Sequence, residues 1–359
     1  MELSNMFKDL KVIDLSTVLA GPSVGSFFAE LGAKVTKVEH PVKIDVTRTW
    51  KLPSEDENSN ISAYFSSVNY KKGYKFLDFT KEVDLKELYK LIEKSDIVLM
   101  NFKKGGQEKL KIKDEQLRAV NSKLIIGKIN GFGDKSDRVA YDLILQAESG
   151  IMSMNGTDKS GPLKMPIALT DVLAAHHLKE GLLLTLMERE MNPNFKGKTV
   201  SVSLYEAAIS SLVNQASNYL MTGDIPQKMG SLHPNIAPYG ELFTTKDGGL
   251  ITFAIGSNKH FSLLCNWIKR TDLASDDRFK TVQDRVKNRM LLYQEIQAAI
   301  NQFELVDVVA GMNELGVPCA EIKNLKEVFN APEAKNMVRT ETIDGVETKR
   351  VTSIVFKYT

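Results

Sequence analysis

Lys11-Val12-Ile13-Asp14-Leu15, Ala20-Gly21-Pro22 and Lys34-Val35-Thr36-Lys37-Val38-Glu39 decide how this chain is read. The first run is short, apolar and β-branched, which predicts a strand. Ala20-Gly21-Pro22 predicts a turn, and Ser23 to Leu31 predicts a helix ended by Gly32. The third run predicts a second strand. Strand, turn, helix and strand within about 30 residues have the size of a βαβ unit, so an α/β protein is expected.

Outward from that unit the alternation continues. The opening resembles a Rossmann-type start, but Ala20-Gly21-Pro22-Ser23-Val24-Gly25 is not the dinucleotide fingerprint G-x-G-x-x-G. A long polar loop, 41–60, holds Asp45, Arg48 and a solvated acidic run at 54–58. Asp84 to Ser95 predicts an amphipathic helix, and Ile97-Val98-Leu99-Met100 an apolar strand. Asn101-Phe102 then falls at a strand's carboxyl end, where open α/β sheets place ligand contacts. Lys103, Lys104, Lys109, Lys111 and Lys113 follow. They read either as a solvated face or as a site for a ligand with several phosphates. Leu124 to Ile129 predicts a strand, Asn130-Gly131-Phe132-Gly133 a turn, Asp142 to Met154 one helix, Thr199 to Leu204 a strand and Tyr205 to Met221 one helix. Beyond Gly223, proline and glycine punctuate short segments, and a smaller α+β domain is expected at 225–325. The tail from Asn330 reads as strand pairs such as Thr348 to Val355 and is expected to return to the first domain. The expected division is a large domain at 1–205 plus 330–359, a small one at 225–325, and linkers at 206–224 and 326–329.

The 359 residues are 43% hydrophobic and 26% charged, ordinary for a soluble enzyme, and net charge is +2, which makes no case for nucleic acid. Two cysteines, Cys265 and Cys319, beside 13 methionines fit a reducing cytoplasm. Met1 to Asp9 is polar, with no signal-peptide pattern, and no apolar run reaches the roughly 18 residues of a membrane span. A cytoplasmic protein with no membrane partner is expected. No phosphate loop, H-E-x-x-H, C-x-x-C or G-x-S-x-G occurs. His176 and His177 are adjacent and would not share a helix face, so no metal site is expected.

Pro166-Ile167-Ala168-Leu169-Thr170-Asp171 reads as a short apolar strand or extended segment, followed by an apolar, buried helix from Val172 to Arg189. Asp171 stands at the junction. It reads either as a helix N-cap, accepting the first orphan N–H groups, or as a carboxylate nucleophile beside free N–H donors.

Taken in order, these pieces resemble family III CoA-transferases, the group that includes formyl-CoA:oxalate, carnitine and bile-acid CoA-transferases and α-methylacyl-CoA racemase. The resemblance spans residues 8–335. It is carried by Lys11 to Pro22, Leu31 to Glu39, Asp45-Val46-Thr47-Arg48, Asn101-Phe102, Asn130 to Gly133, Asp171, Gly197 to Leu204, His233 to Tyr239, Asp277-Arg278-Phe279 and Gly316 to Cys319. The resemblance implies a large Rossmann-like CoA-binding domain, a smaller α+β domain, and two chains interlocked as a homodimer. It also implies coenzyme A as substrate, carried on an acyl-CoA, and a carboxylic acid acceptor. Asp171 would be the nucleophile, forming an aspartyl anhydride and then an aspartyl-CoA thioester. Thr17, Leu19, Ala20, His40, Arg48, Lys72, Asn101, Phe102, Lys109, Asn130 and Tyr141 would bind CoA.

Three departures stand out. His40 and Lys109 replace arginines of many members, and Met229-Gly230-Ser231-Leu232-His233 stands where the formyl-CoA branch has a glycine-rich lid. Two other functions stay open on sequence. The racemase branch uses a His-Asp pair ahead of the aspartate helix. Here the pair is Tyr141-Asp142, and a tyrosine with a pKa of about 10 is a poor base at neutral pH. A non-catalytic CoA-binding homologue is the other.

Overall fold

The computed structural model describes residues 3–357. It divides into two compact units: Met1–Met152 with Lys164–Ile225 and Lys335–Thr359, and Ser153–Leu163 with Pro226–Ala334.

The first unit is built on six parallel strands: β1 (Lys11–Asp14), β2 (Lys34–Glu39), β3 (Lys72–Phe76), β4 (Ile97–Met100), β5 (Ile125–Asn130) and, after a two-stranded hairpin of the second unit (β6, Gly156–Thr157; β7, Gly161–Pro162), β8 (Thr199–Ser203). Their order across the sheet is β3-β2-β1-β4-β5-β8. The chain therefore winds one way from β1 and, starting again at β4, the other way. Helices α1 (Ala20–Glu30), α2 (Ala63–Ser67), α3 (Glu82–Glu93), α4 (Gly106–Lys109), α5 (Asp114–Val120), α6 (Asp142–Glu148), α7 (Ile151–Met154), α8 (Leu169–Met191), α9 (Leu204–Ser210) and α10 (Val213–Thr222) fill the connections.

Burial of the sheet on both faces explains the continuous apolar strands. Alternate residues serve opposite layers. Val12, Val35, Ile97, Leu99 and Ile125 pack with Phe27 and Phe28 of α1 and with Ala174, Leu178 and Leu182 of α8. Ile13, Val38, Val98, Met100 and Ile126 pack with Leu85, Leu88 and Ile92 of α3 and Leu117 of α5. Burying a side chain such as Phe28 or Leu182 contributes roughly 1.5–3 kcal/mol. Two glycines are required by geometry. Gly32 ends α1 at φ +95, where a Cβ would lie 2.3 Å from the Ser4 carbonyl oxygen. Gly127 lets α8 close on β5, since a Cβ there would meet Leu99 at 2.9 Å and Leu182 at 3.3 Å.

Several expected elements differ. The helix expected at 142–154 is two, α6 and α7, parted at Gly150 with φ 87. The helix expected at 205–221 is also two, α9 and α10, parted at Ser211–Leu212, with Val213 at φ 35. The expected linker 206–224 thus carries helices of the first unit. Pro166 to Ala168 forms no strand. The tail hairpin is β12 (Val338–Ile343) with β13 (Val346–Val351), and Thr352 onward lies outside it. Glu30 of α1 holds the segment that follows: Arg350 Nη1 donates to it at 2.7 Å and the Ser353 backbone N–H at 3.0 Å.

The second unit carries an antiparallel sheet, β9 (Tyr239–Thr244), β10 (Leu250–Ala254) and β11 (Cys319–Glu321), ordered β11-β10-β9. Its core joins Phe243, Ile251 and Phe253 to Phe261, Leu264, Leu292, Ile296 and Val308 from the helices. Arg285 is wholly buried there. Its guanidinium donates to the Ala237 and Phe279 carbonyls and to Asn258 Oδ1.

Candidate functional site

The switch of winding direction between β1 and β4 leaves a crevice at the strands' carboxyl ends, the expected ligand position in such sheets. A cleft of about 190 Å³ lies there. It is lined by Thr17, Leu19, Ala20, Asn101, Phe102, Asn130, Tyr141 and Asp171, among others. Eight of the twelve residues expected to act on or bind CoA are thus brought together. A neighbouring cleft of about 260 Å³ shares Asn101, Phe102, Lys103, Lys104 and Asn130 and continues past Gln107 and Lys128.

The geometry separates the two readings of Asp171. The N-cap of α8 is Ala168, and Asp171 is the helix's third residue. Capping is done from another element. The Asp142 carboxylate accepts from the Thr170 N–H at 2.8 Å and the Thr170 hydroxyl at 2.9 Å, and its second oxygen accepts from Gln146 Nε2 at 2.7 Å. Asp171 is 9% exposed. Burial, and then the Asp142 charge, push its carboxyl up to about 7. The amino-terminal end of a 23-residue helix works the other way, favouring the anion. The result is a carboxylate poised to ionise at neutral pH with little solvent around it.

Tyr64 is a neighbour that sequence reasoning missed. Burial, with the charges of Asp171, Asp142 and Asp45, pushes its phenol up to about 12, so it stays protonated beside these acids. Trp50 meets Tyr64 edge-on at 5.1 Å between ring centroids. Neither the spacing of the polar loop that holds Trp50 nor that of α2, which holds Tyr64, marks these residues.

Other residues hold the cleft's walls. Asn101 accepts from the Thr17 N–H at 3.1 Å and donates to the Thr17 carbonyl at 2.9 Å, so its amide locks the β1–α1 loop. Asn130 accepts from the Gly133 N–H at 2.6 Å and donates to Asp134 at 2.8 Å, which fixes the turn after β5. Tyr141 is the N-cap residue of α6 and is exposed.

Four expected CoA contacts lie outside this cleft. Arg48 is 3% exposed; it pairs with Glu39 at 2.6 Å and lies over the Phe65 ring at 3.8 Å. Lys72 is buried, donating to Asp14, the Pro22 carbonyl, the Val68 carbonyl and Asn69 at 2.8–2.9 Å. Each of these two cations is paired with a buried carboxylate. His40 accepts at Nδ1 from the Val42 and Lys43 N–H groups, each at 3.0 Å, and its Nε2 lies 3.6 Å from Asp78. Lys109 is exposed at the end of α4. The cations lining the cleft are instead Lys103, Lys104 and Arg138. Arg138 stacks over Phe132 at 3.9 Å and pairs with Glu148 at 2.9 Å. The signal for the lysines is their place directly after Asn101-Phe102. Arg138 carries no motif of its own.

Among the described residues, no group of three or more His, Cys, Asp or Glu is placed to hold a metal, and no helix is long and apolar enough to cross a membrane.

The chain is similar to known proteins along its length. The sequence profile described as CoA-transferase family III matches residues 7–358. A succinate–glutarate CoA-transferase of Agrobacterium fabrum is 32% identical over 332 residues, 91% of this chain and 82% of that protein. A succinyl-CoA:mesaconate CoA-transferase of Haloarcula hispanica is 32% identical over 334 residues, 90% of this chain and 82% of that protein. Among solved structures, a CAIB/BAIF family protein from Brucella suis is 34% identical, with a TM-score of 0.82 over 97% of this chain and 91% of that one.

Proposed function

The chain belongs to CoA-transferase family III, and from that premise we propose that Asp171 carries acyl and CoA groups covalently between an acyl-CoA and a carboxylic acid. The Asp171 carboxylate attacks the thioester carbonyl, the C–S bond breaks, and CoA thiolate leaves an aspartyl–acyl anhydride. The thiolate attacks the aspartyl carbonyl and releases the donor acid, giving an aspartyl-CoA thioester. The acceptor carboxylate displaces the thiolate to form a second anhydride, and the thiolate takes the acceptor's acyl group, freeing Asp171. No net proton moves, and the thioester's free energy is retained so long as water is kept out.

The observation that carries this reading is the buried Asp171 carboxylate on the cleft wall, its capping task done by Asp142. The same observation disfavours the alternatives. A racemase would need Tyr141-Asp142 as base, but Asp142 is committed to Thr170 and Gln146. A scaffold has no use for a carboxylate raised to about 7. Lys103, Lys104 and Arg138 would meet the phosphates of CoA, with Lys109 further along. Relatives named for succinate and glutarate and for succinyl-CoA and mesaconate make the CoA thioester of a short dicarboxylic acid the proposed donor.

Wild-type protein mixed with succinyl-CoA should carry CoA or acyl mass on the Asp171 peptide, and hydroxylamine should convert that adduct to a hydroxamate. Failure to trap any adduct at single turnover, with turnover present, rejects the covalent route. The ionised carboxylate is the active form, so kcat/KM should fall about tenfold per pH unit below an apparent pKa near 7. A profile flat from pH 5 to 8 removes Asp171 as the titrating nucleophile.

We further propose that the first unit is the CoA-binding domain and the second the small domain of an interlocked homodimer. Exposed Leu184, Met187 and Met191 of α8 and Leu220, Met221 and Ile225 at and after α10 supply apolar surface for it. Interfaces of this kind bury roughly 2,000 Å² or more. Sedimentation at nanomolar concentration should give a dimer, and a stable folded monomer would count against it.

A further inference from the structure

The strained point of the cleft is Val18, a β-branched residue at φ 72. Such a residue adopts that backbone only where its surroundings impose it. The imposing groups are two charged side chains. Lys37 and Asp45 are both fully buried and pair at 3.0 Å. The Val18 N–H donates to both Asp45 oxygens, at 3.3 and 3.2 Å. Lys37 Nζ donates to the Ser16 carbonyl at 2.8 Å. Asp45 is itself held, accepting from the Thr47 N–H at 3.1 Å and hydroxyl at 2.8 Å, while its own N–H donates to Glu39 at 2.8 Å. Asn101 grips the one remaining residue, Thr17.

A buried ion pair is a weak device for stability, since apolar residues of like volume often do as well. This one spends its polar atoms on the backbone of Ser16 and Val18. Val18, Leu19 and Ala20 then form one edge of the cleft that Asp171 also lines.

We propose that Lys37 and Asp45 are positioning residues for the reaction: they hold the 16–18 backbone in its strained form and so fix the Val18–Ala20 edge relative to Asp171. The inference rests on the reaction proposed for Asp171. It gives the Asp45-Val46-Thr47-Arg48 motif a task that is not contact with CoA. Arg48 serves through Glu39 and Asp45, one step further back.

The test uses Asp45→Asn, Lys37→Met and the double variant, with kcat and KM for succinyl-CoA and amide exchange of the 17–21 segment. An amide oxygen cannot serve Val18 and Thr47 as the carboxylate does. Asp45→Asn should therefore lower kcat roughly 10–100-fold, KM should stay within about threefold, and the segment should exchange faster. Lys37→Met should lose stability by stranding Asp45. The double variant should regain the part of that stability lost at Asp45, the part lost at Asp14 remaining, and still keep the low kcat. A double variant with wild-type kcat, losses that only follow the folded fraction, or unchanged exchange in Asp45→Asn would each overturn the proposal. Absence of an Asp171 adduct in the wild type would reject the proposed reaction, while the exchange readout still decides whether the pair holds the loop.

Discussion

Asp171→Asn is expected to abolish CoA transfer and to leave a more stable protein. Turnover should fall by roughly three orders of magnitude or more, because no neighbouring group can replace a covalent nucleophile. CoA binding should persist within a few-fold, since the cations of the cleft lie elsewhere. The stability change follows from the carboxyl's position. Its folded-state pKa of about 7 lies above its ordinary 3.8. The folded protein therefore holds a proton that the unfolded chain has lost between those values, and stability falls as pH rises through that window. Above about pH 7 the full penalty is present, at most about 4 kcal/mol from a shift of that size. Asparagine carries no such penalty. The gap between variant and wild type should open from pH 4 to 7 and stay level above, as urea unfolding at several pH values would report. A cap residue would behave otherwise, since Asn and Asp cap about equally well. An active Asn variant would sink the mechanism and leave the fold untouched.

Lys72→Ala should act on folding and not on CoA. Asp14 is fully buried, and burial alone would push its carboxyl up; Lys72 and Lys37 outweigh that and hold it below the ordinary range. Removing the ammonium takes the larger of its two counter-charges from Asp14, and takes a donor from the Pro22 and Val68 carbonyls and Asn69, of which the Val68 carbonyl keeps Ser26 Oγ. Breaking one side of a buried pair costs about 3–5 kcal/mol. Asp14→Asn/Lys72→Met removes both charges and should recover most of the loss. The dissociation constant for CoA, measured on folded protein by calorimetry, should stay within about threefold of wild type in that double variant. A Lys72→Ala protein with normal stability and much weaker CoA binding would return the residue to the ligand site.

Lys72 and Arg48 lie outside the cleft, beside acids that the sequence does not pair with them. Lys72 opens β3 and Arg48 lies in the loop after β2, and sequence shows a cation's position but not its partner. Glu39 and Asp14, read at the ends of apolar strands, become buried acids that must be neutralised. The nearest basic side chains are taken for that purpose. Exposed lysines close to the turn, Lys103 and Lys104, are left to face the cleft. The sequence marked them within a cluster whose two readings it could not separate.

Local pattern alone was enough for β1, β2 and the body of α1, because apolar strands and a glycine-ended helix depend on contacts within a few residues, but Ala20-Gly21-Pro22, read as a turn, is the first turn of α1. It was also enough for the placement of Asn101-Phe102 at a strand's carboxyl end and of Asp171 near the start of a long helix, which begins two residues before Asp171 and not after it. What Asp171 is for could not be decided locally. Thr170 is capped by Asp142, 28 residues earlier in the chain, and the pKa of Asp171 depends on burial and on that same distant acid. Hydrogen-bond partners and desolvation belong to space and not to spacing, so only the folded chain could free Asp171 from its cap and withdraw Lys72 and Arg48 from the cleft.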